Sequence, residues 1–238
     1  MEDAAEGARM SRKPLIWMYH SIDEYDHDPH KVTVTPDRFD RQLTWLRRRG
    51  LRGVSMRELL AAPSPRGLVG LTFDDGYADF AATAVPILAR HGFTATVFAL
   101  PGLFGGHNRW DDPAPRKDLM TAEQVREVAD AGMEVASHGM THVALPAVDD
   151  AALKEEVTRS RELLAEVVGG PVDGFAYAYG ALGDREVAAV REAGYAYAVA
   201  TWPTARDDPH ALPRTYIGDT TGPLMLRVRE ARHRLVWR

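Results

Sequence analysis

Short apolar runs alternate along this chain with longer stretches in which apolar residues return every three or four positions. The first pattern reads as buried strand and the second as amphipathic helix. Residues 14–22 (PLIWMYHSI) form the first core strand, with one imidazole, His20, near its end. Residues 23–34 are polar, hold His27 and His30, and are expected as a loop. Thr35-Pro36 pairs an N-cap residue with proline at the first helical position. The helix that follows carries Phe39, Leu43 and Leu46 on one face and closes on Arg47 to Arg49, cations that suit a helix C-terminus. A short strand at 51–56 and a short helix at 56–62 lead through Pro63-Ser64-Pro65 into an alternating strand, Val69, Leu71 and Phe73. That strand runs into Asp74-Asp75-Gly76.

Further along, residues 77–91 read as helix with Gly92 as its left-handed stop. Residues 93–100 are strand, and 101–117 have the glycine and proline content of a long surface loop, a rim over a site. Thr121 with Gln124 is a capping box for a helix to Ala131. A strand at 133–137 ends at His138. Residues 149–168 form a long amphipathic helix, 172–179 an apolar and aromatic strand, 184–193 a helix and 195–201 a strand. Residues 212–217 and a C-terminal helix finish the chain. This alternation, with short connections and no internal repeat, predicts one α/β domain with a mainly parallel sheet. An open doubly wound sheet and a barrel both fit. His20, Asp74, Asp75, His138 and Tyr179 all follow strand ends, which in a barrel converge on one face, so a barrel is the expected form.

Composition narrows the function. The chain is 45% hydrophobic and 26% charged, ordinary for a globular protein, and its net charge of −5 gives no footprint for nucleic acid. No cysteine is present, so any metal falls to His, Asp and Glu. No apolar run is long enough for a membrane span. Residues 1–13 are polar, without the apolar core of a secretory signal, and are expected to be a disordered extension before a catalytic domain at 14–238. Met10 is an alternative start, and the expected location is cytoplasmic.

Two adjacent carboxylates at a buried strand end are costly unless a cation compensates them. One reading of Asp74-Asp75 gives a metal ligand beside a proton acceptor; the other is a helix cap followed by a solvated Asp. Residues 137–142 (SHGMTH) weigh on the choice. His138 and His142 are four apart, and with Asp75 they compose a two-His, one-carboxylate set that leaves coordination positions open.

Thr-Phe-Asp-Asp-Gly at 72–76, Ser-His-x3-His at 137–142 and Phe-Ala-Tyr-Ala-Tyr-Gly at 175–180 together resemble the polysaccharide deacetylases, carbohydrate esterase family four, over about residues 14–217. The resemblance implies a distorted (β/α)7 barrel. It implies Asp74 as catalytic base, and Asp75, His138 and His142 as ligands of one divalent metal, usually zinc, with cobalt or nickel as substitutes. It also implies the Tyr179 backbone N–H as oxyanion donor. Three departures matter. The arginine of the third motif is absent, and Arg214 is the candidate to pair with Asp74 in its place. The family's late histidine motif is not recognisable; the early Met-Tyr-His-Ser-Ile resembles poly-N-acetylglucosamine deacetylases, which makes His20 the general acid. The fourth motif has no counterpart, and Trp17, Trp110 and Trp202 are candidates to line a sugar surface. The expected substrate is an N-acetylated amino sugar or its polymer. Alternatives are a small N-acetylated intermediate, or a non-catalytic carbohydrate-binding relative.

Overall fold

The computed structural model describes residues 14–201 and 204–236. From the N-terminal side its elements are β1 (Ile16–Tyr19), β2 (Ser21–Ile22), β3 (Thr33–Val34), α1 (Pro36–Arg48), β4 (Arg52–Val54), α2 (Met56–Ala61) and β5 (Leu68–Phe73). Then come α3 (Val85–His91), β6 (Thr96–Ala99), α4 (Ala122–Asp130), β7 (Glu134–Ser137), α5 (Asp150–Val168) and β8 (Gly174–Ala176). The last are α6 (Asp184–Glu192), β9 (Tyr197–Thr201), β10 (Leu212–Tyr216) and α7 (Pro223–Val236). The extension expected at 1–13 and Trp202 lie outside the described residues. No described helix is long and apolar enough to cross a membrane.

The expected barrel is present. Seven parallel strands close in the order β1, β10, β9, β8, β7, β6, β5, with β5 returning to β1 through Ile16–Gly70 to Tyr19–Phe73. Distortion enters at β5. Opposite β1, its lower half pairs with β4 (Val54 against Gly70) and its upper half with β6 (Thr72 against Thr96). Strand alternation divides the core in two. Trp17, Tyr19, Val69, Leu71, Phe73, Val97, Val135 and Phe175 face outward and pack with helix residues such as Phe39, Leu43 and Leu46. Each of these fully buried helix side chains contributes about 1.5–3 kcal/mol. Ile16, Phe98, Ala136, Ala176, Tyr197, Val199 and Leu212 fill the barrel interior. Towards the carboxyl ends of the strands the interior positions turn polar, and there the candidate residues collect.

Several local expectations change. The strand expected at 14–22 breaks after Tyr19, and Ser21–Ile22 pairs with Thr33–Val34 inside the presumed loop, a pairing too short to leave a periodic signal. The helix expected from Tyr77 starts later: Tyr77 bridges to Leu119, and a π-helical turn, Phe80–Ala84, precedes α3. Pro86 explains the wide turn, because it lacks the N–H for an α-helical bond and crowds the carbonyl four residues back. Thr35 does not cap α1 with its side chain; its Oγ1 and N–H both donate to Asp219 Oδ1 (2.8 and 2.9 Å). The Thr121–Gln124 capping box and the left-handed stop at Gly92 are present.

Candidate active site

β5 delivers the aspartate pair, and the backbone separates the two side chains. Thr72 and Asp74 share the inward face of the strand, while the Asp74 N–H donates to the Tyr19 carbonyl at 3.0 Å and fixes the strand end beside His20. Asp75 then adopts a left-handed backbone (φ 72°), and so does Gly76 (φ 68°). A β-carbon on Gly76 would meet Ala99 Cα at 3.2 Å, so the turn needs glycine both for conformation and for space. Asp74 therefore does not cap a helix, since the next helical turn begins at Phe80, and Asp75 is buried rather than solvated.

Asp74 meets Arg214, which projects inward from β10 two residues after Leu212. Arg214 Nη1 donates to Asp74 Oδ1 (2.6 Å) and Nη2 to Oδ2 (2.7 Å), a bidentate pair. Nη1 also reaches Thr72 Oγ1 (3.3 Å), which itself donates to the Trp17 carbonyl (2.8 Å). The two side chains are 1% and 5% exposed. Burial by itself would raise the Asp74 carboxyl; the Arg214 charge, helped by His138 and His20, outweighs it and holds Asp74 below the usual carboxylate range. A carboxylate is thereby kept ionised where water alone would not solvate it.

Asp75 Oδ1 faces His138 Nε2 at 3.3 Å and His142 Nε2 at 3.2 Å. The three residues are buried, and their ligand atoms lie within 4.8 Å of one another. Asp75 Oδ1 makes no well-directed hydrogen bond, so a buried oxygen is left facing two imidazole nitrogens. One hard oxygen and two borderline nitrogens converging in this way fit a divalent cation of the zinc type. His138 Nδ1 lies 2.7 Å from the Ala176 carbonyl; a carbonyl only accepts, so Nδ1 carries a proton and Nε2 is the nitrogen turned inward to Asp75. Burial opposes the Asp75 charge, yet the facing His138 and His142 hold it well below the usual range. In turn His138 is raised, because Asp75 and Asp74 outweigh its own burial.

Around this set lies a cavity of about 200 Å³ lined among others by His20, His30, Trp110, Asp111, Tyr179 and Thr201. Trp110 comes from the loop expected as a rim and stacks on His142 at 4.2 Å; Tyr179 meets the same ring edge-on at 4.6 Å. Tyr179 is 60% exposed, in a left-handed backbone (φ 59°) just after β8, so the strand expected to 179 stops three residues earlier. His142 is left-handed as well (φ 63°). Strained backbone of this kind costs roughly 1–3 kcal/mol per residue and persists where surrounding structure enforces it, characteristically at functional sites. Trp17 is not at the cavity: it is 1% exposed and packed against Tyr19 and Trp45, because strand alternation turns it outward. Two further contributors escaped the sequence reading. Thr72 anchors Arg214, and Glu156 on α5 holds the loop before His142. The signal for Glu156 is visible in hindsight: it is a carboxylate on the buried stripe Leu153, Val157, Ser160, Leu164.

A family model described as polysaccharide deacetylase matches residues 61–198. The Bacillus subtilis (strain 168) protein YxkH, itself named only provisionally as a polysaccharide deacetylase, is 28% identical over 213 residues, 86% of this chain and 71% of that protein. A poly-beta-1,6-N-acetyl-D-glucosamine N-deacetylase of Staphylococcus aureus (strain MRSA252) is 23% identical over 205 residues, 79% of this chain and 68% of that one. Among solved structures, a Streptococcus pyogenes deacetylase, PplD, in complex with acetate superimposes with a TM-score of 0.76 at 25% identity, covering 91% of this chain and 97% of that one. The family model spans more than half of the chain, and the chain therefore belongs to the polysaccharide deacetylase family.

Proposed function

We propose that the protein is a metal-dependent N-deacetylase that hydrolyses the acetamide of an N-acetylated amino sugar, free or within an oligo- or polysaccharide, to a free amine and acetate. The observation that carries this reading is the juxtaposition of the Asp75–His138–His142 set with an arginine-paired Asp74 in one cavity. Asp75, His138 and His142 would hold the cation, zinc by preference, with cobalt or nickel as substitutes. When bound, such a cation supplies Lewis acidity towards an amide carbonyl and lowers the pKa of water.

The remaining roles belong to the chain. Asp74, kept ionised by Arg214, accepts the proton of the attacking water. The Tyr179 backbone N–H donates to the oxyanion that forms, a stabilisation worth ~3 kcal/mol per donor. His20 protonates the departing amine, which is otherwise too basic a leaving group. Trp110 and the exposed Tyr179 ring offer apolar faces to a sugar.

The test is acetate release from chitooligosaccharides, from poly-N-acetylglucosamine fragments and from small N-acetylated amino sugars, with and without added zinc or cobalt. Metal-stimulated release from any of these supports the reading, and the preferred substrate separates a polymer from a small molecule. Binding without release by metal-loaded protein would instead make it a carbohydrate-binding relative. Asp75→Ala and His138→Ala should each strip the metal, measured by elemental analysis.

A further inference from the structure

His138 and His142 face the same carboxylate oxygen but are held differently. His138 is anchored through Nδ1 to the Ala176 carbonyl. His142 has no such anchor, since its Nδ1 is buried without a hydrogen-bond partner. Imidazole metal ligands ordinarily donate their second nitrogen to a carbonyl or carboxylate that fixes the ring. Something else must set the position of His142, whose backbone is in the left-handed region.

We propose that Glu156 is the positioning residue for His142. Its Oε2 accepts from the Met140 N–H (2.7 Å) and the Thr141 N–H (3.2 Å), and its Oε1 accepts from Thr141 Oγ1 (2.6 Å). All three donors belong to the two residues immediately before His142. Among the described residues no lysine or arginine forms an ion pair with Glu156, so its hydrogen bonding is committed to this loop. The same loop is held from the far side, where the Gly102 N–H donates to the Met140 carbonyl at 3.1 Å. Glu156 itself is fixed by α5, whose Leu153, Val157 and Leu164 are buried in the core. A rigid helix thus fixes the backbone of the His142 loop, while Trp110 stacks on the ring and Tyr179 packs against it edge-on. Together they replace the missing anchor on Nδ1.

This inference rests on the metal reading of the site, and the two are separable by titrating wild type and variants with zinc against a chromophoric chelator, alongside thermal unfolding of the metal-free proteins. Glu156→Ala should raise the zinc Kd by about 10–100-fold, the scale for losing an outer-shell partner. Thr141→Val deletes only the hydroxyl bond and should shift the Kd in the same direction by less; it keeps the test valid if Glu156→Ala does not fold. Glu156→Gln retains an acceptor oxygen for the two N–H groups and should restore most of the affinity. Unchanged zinc affinity in Glu156→Ala and Thr141→Val, even with a lowered Tm, would leave Glu156 a purely structural clamp and overturn the proposal. A Glu156→Gln variant as weak as Glu156→Ala would also overturn it, by making charge rather than position the cause. Wild type that fails to bind zinc would remove the metal reading, and this inference with it.

Discussion

Asp74 and Arg214 form an ion pair with almost no solvent access, and such pairs are most sensitive to losing one member. Removing the cation leaves a desolvated carboxylate that takes up a proton, which on the proposed mechanism is the loss of the general base. Arg214→Met should therefore lower turnover by about 10²-fold, the lower end of the general-base range, while elemental analysis finds metal content unchanged. The same variant should lose about 3–5 kcal/mol of stability in urea titration, the scale for breaking a buried ion pair by removing one partner. Asp74→Asn keeps the pocket shape and should retain metal while turnover falls at least ~10²-fold. Near wild-type turnover in Asp74→Asn would take Asp74 out of the mechanism.

At the scale of elements, the barrel keeps its chemistry at one end and a structural carboxylate at the other. Glu134 opens β7 and is 2% exposed. It accepts from Thr96 Oγ1 (2.7 Å), the Arg57 N–H (2.7 Å) at the start of α2, and Tyr197 Oη (2.9 Å). Burial pushes its carboxyl up, and these donors offset the rise only in part. A raised folded-state pKa means that the native state holds the proton more tightly than the unfolded chain does. That contribution to stability is complete below the ordinary glutamate range and is lost as pH rises through the raised value. Glu134→Gln removes the titration, so the urea midpoint of the variant relative to wild type should improve between pH 5 and pH 8. An identical difference at both pH values would show that Glu134 does not titrate in the folded protein. Element identity was largely legible in the sequence, because capping chemistry at Thr121 and the glycine stop at 92 are local signals. Boundaries were less so. The π turn before α3 and the early end of β8 reflect hydrogen-bond and backbone requirements that no periodicity encodes.

For the whole molecule, closing the ring brings Arg214, 140 residues distant in the chain, onto Asp74. It also brings α5 under the His142 loop. A cation shared by β5 and the loop after β7 would tie these parts together, and a ligand that binds only the folded state stabilises it by mass action. Removing metal with a chelator should lower Tm, and zinc restored at a hundredfold excess over its Kd should return about 2.7 kcal/mol. Tm insensitive to chelator and zinc alike would mean that these residues hold no structural cation.

The sequence by itself determined the alternation of strands and helices and the presence of an aspartate pair and a histidine pair at strand ends. It did so because side-chain periodicity, caps and motif spacing are properties of neighbours along the chain. Tertiary structure alone decided which residues complete the site. Arg214 pairs with Asp74 from β10, Trp17 turns outward while Trp110 reaches the cavity, and Glu156 braces a loop from a helix that sequence reading treats as amphipathic packing. Those assignments depend on ring closure and on the direction each side chain takes from its strand or helix, and neither is a local property.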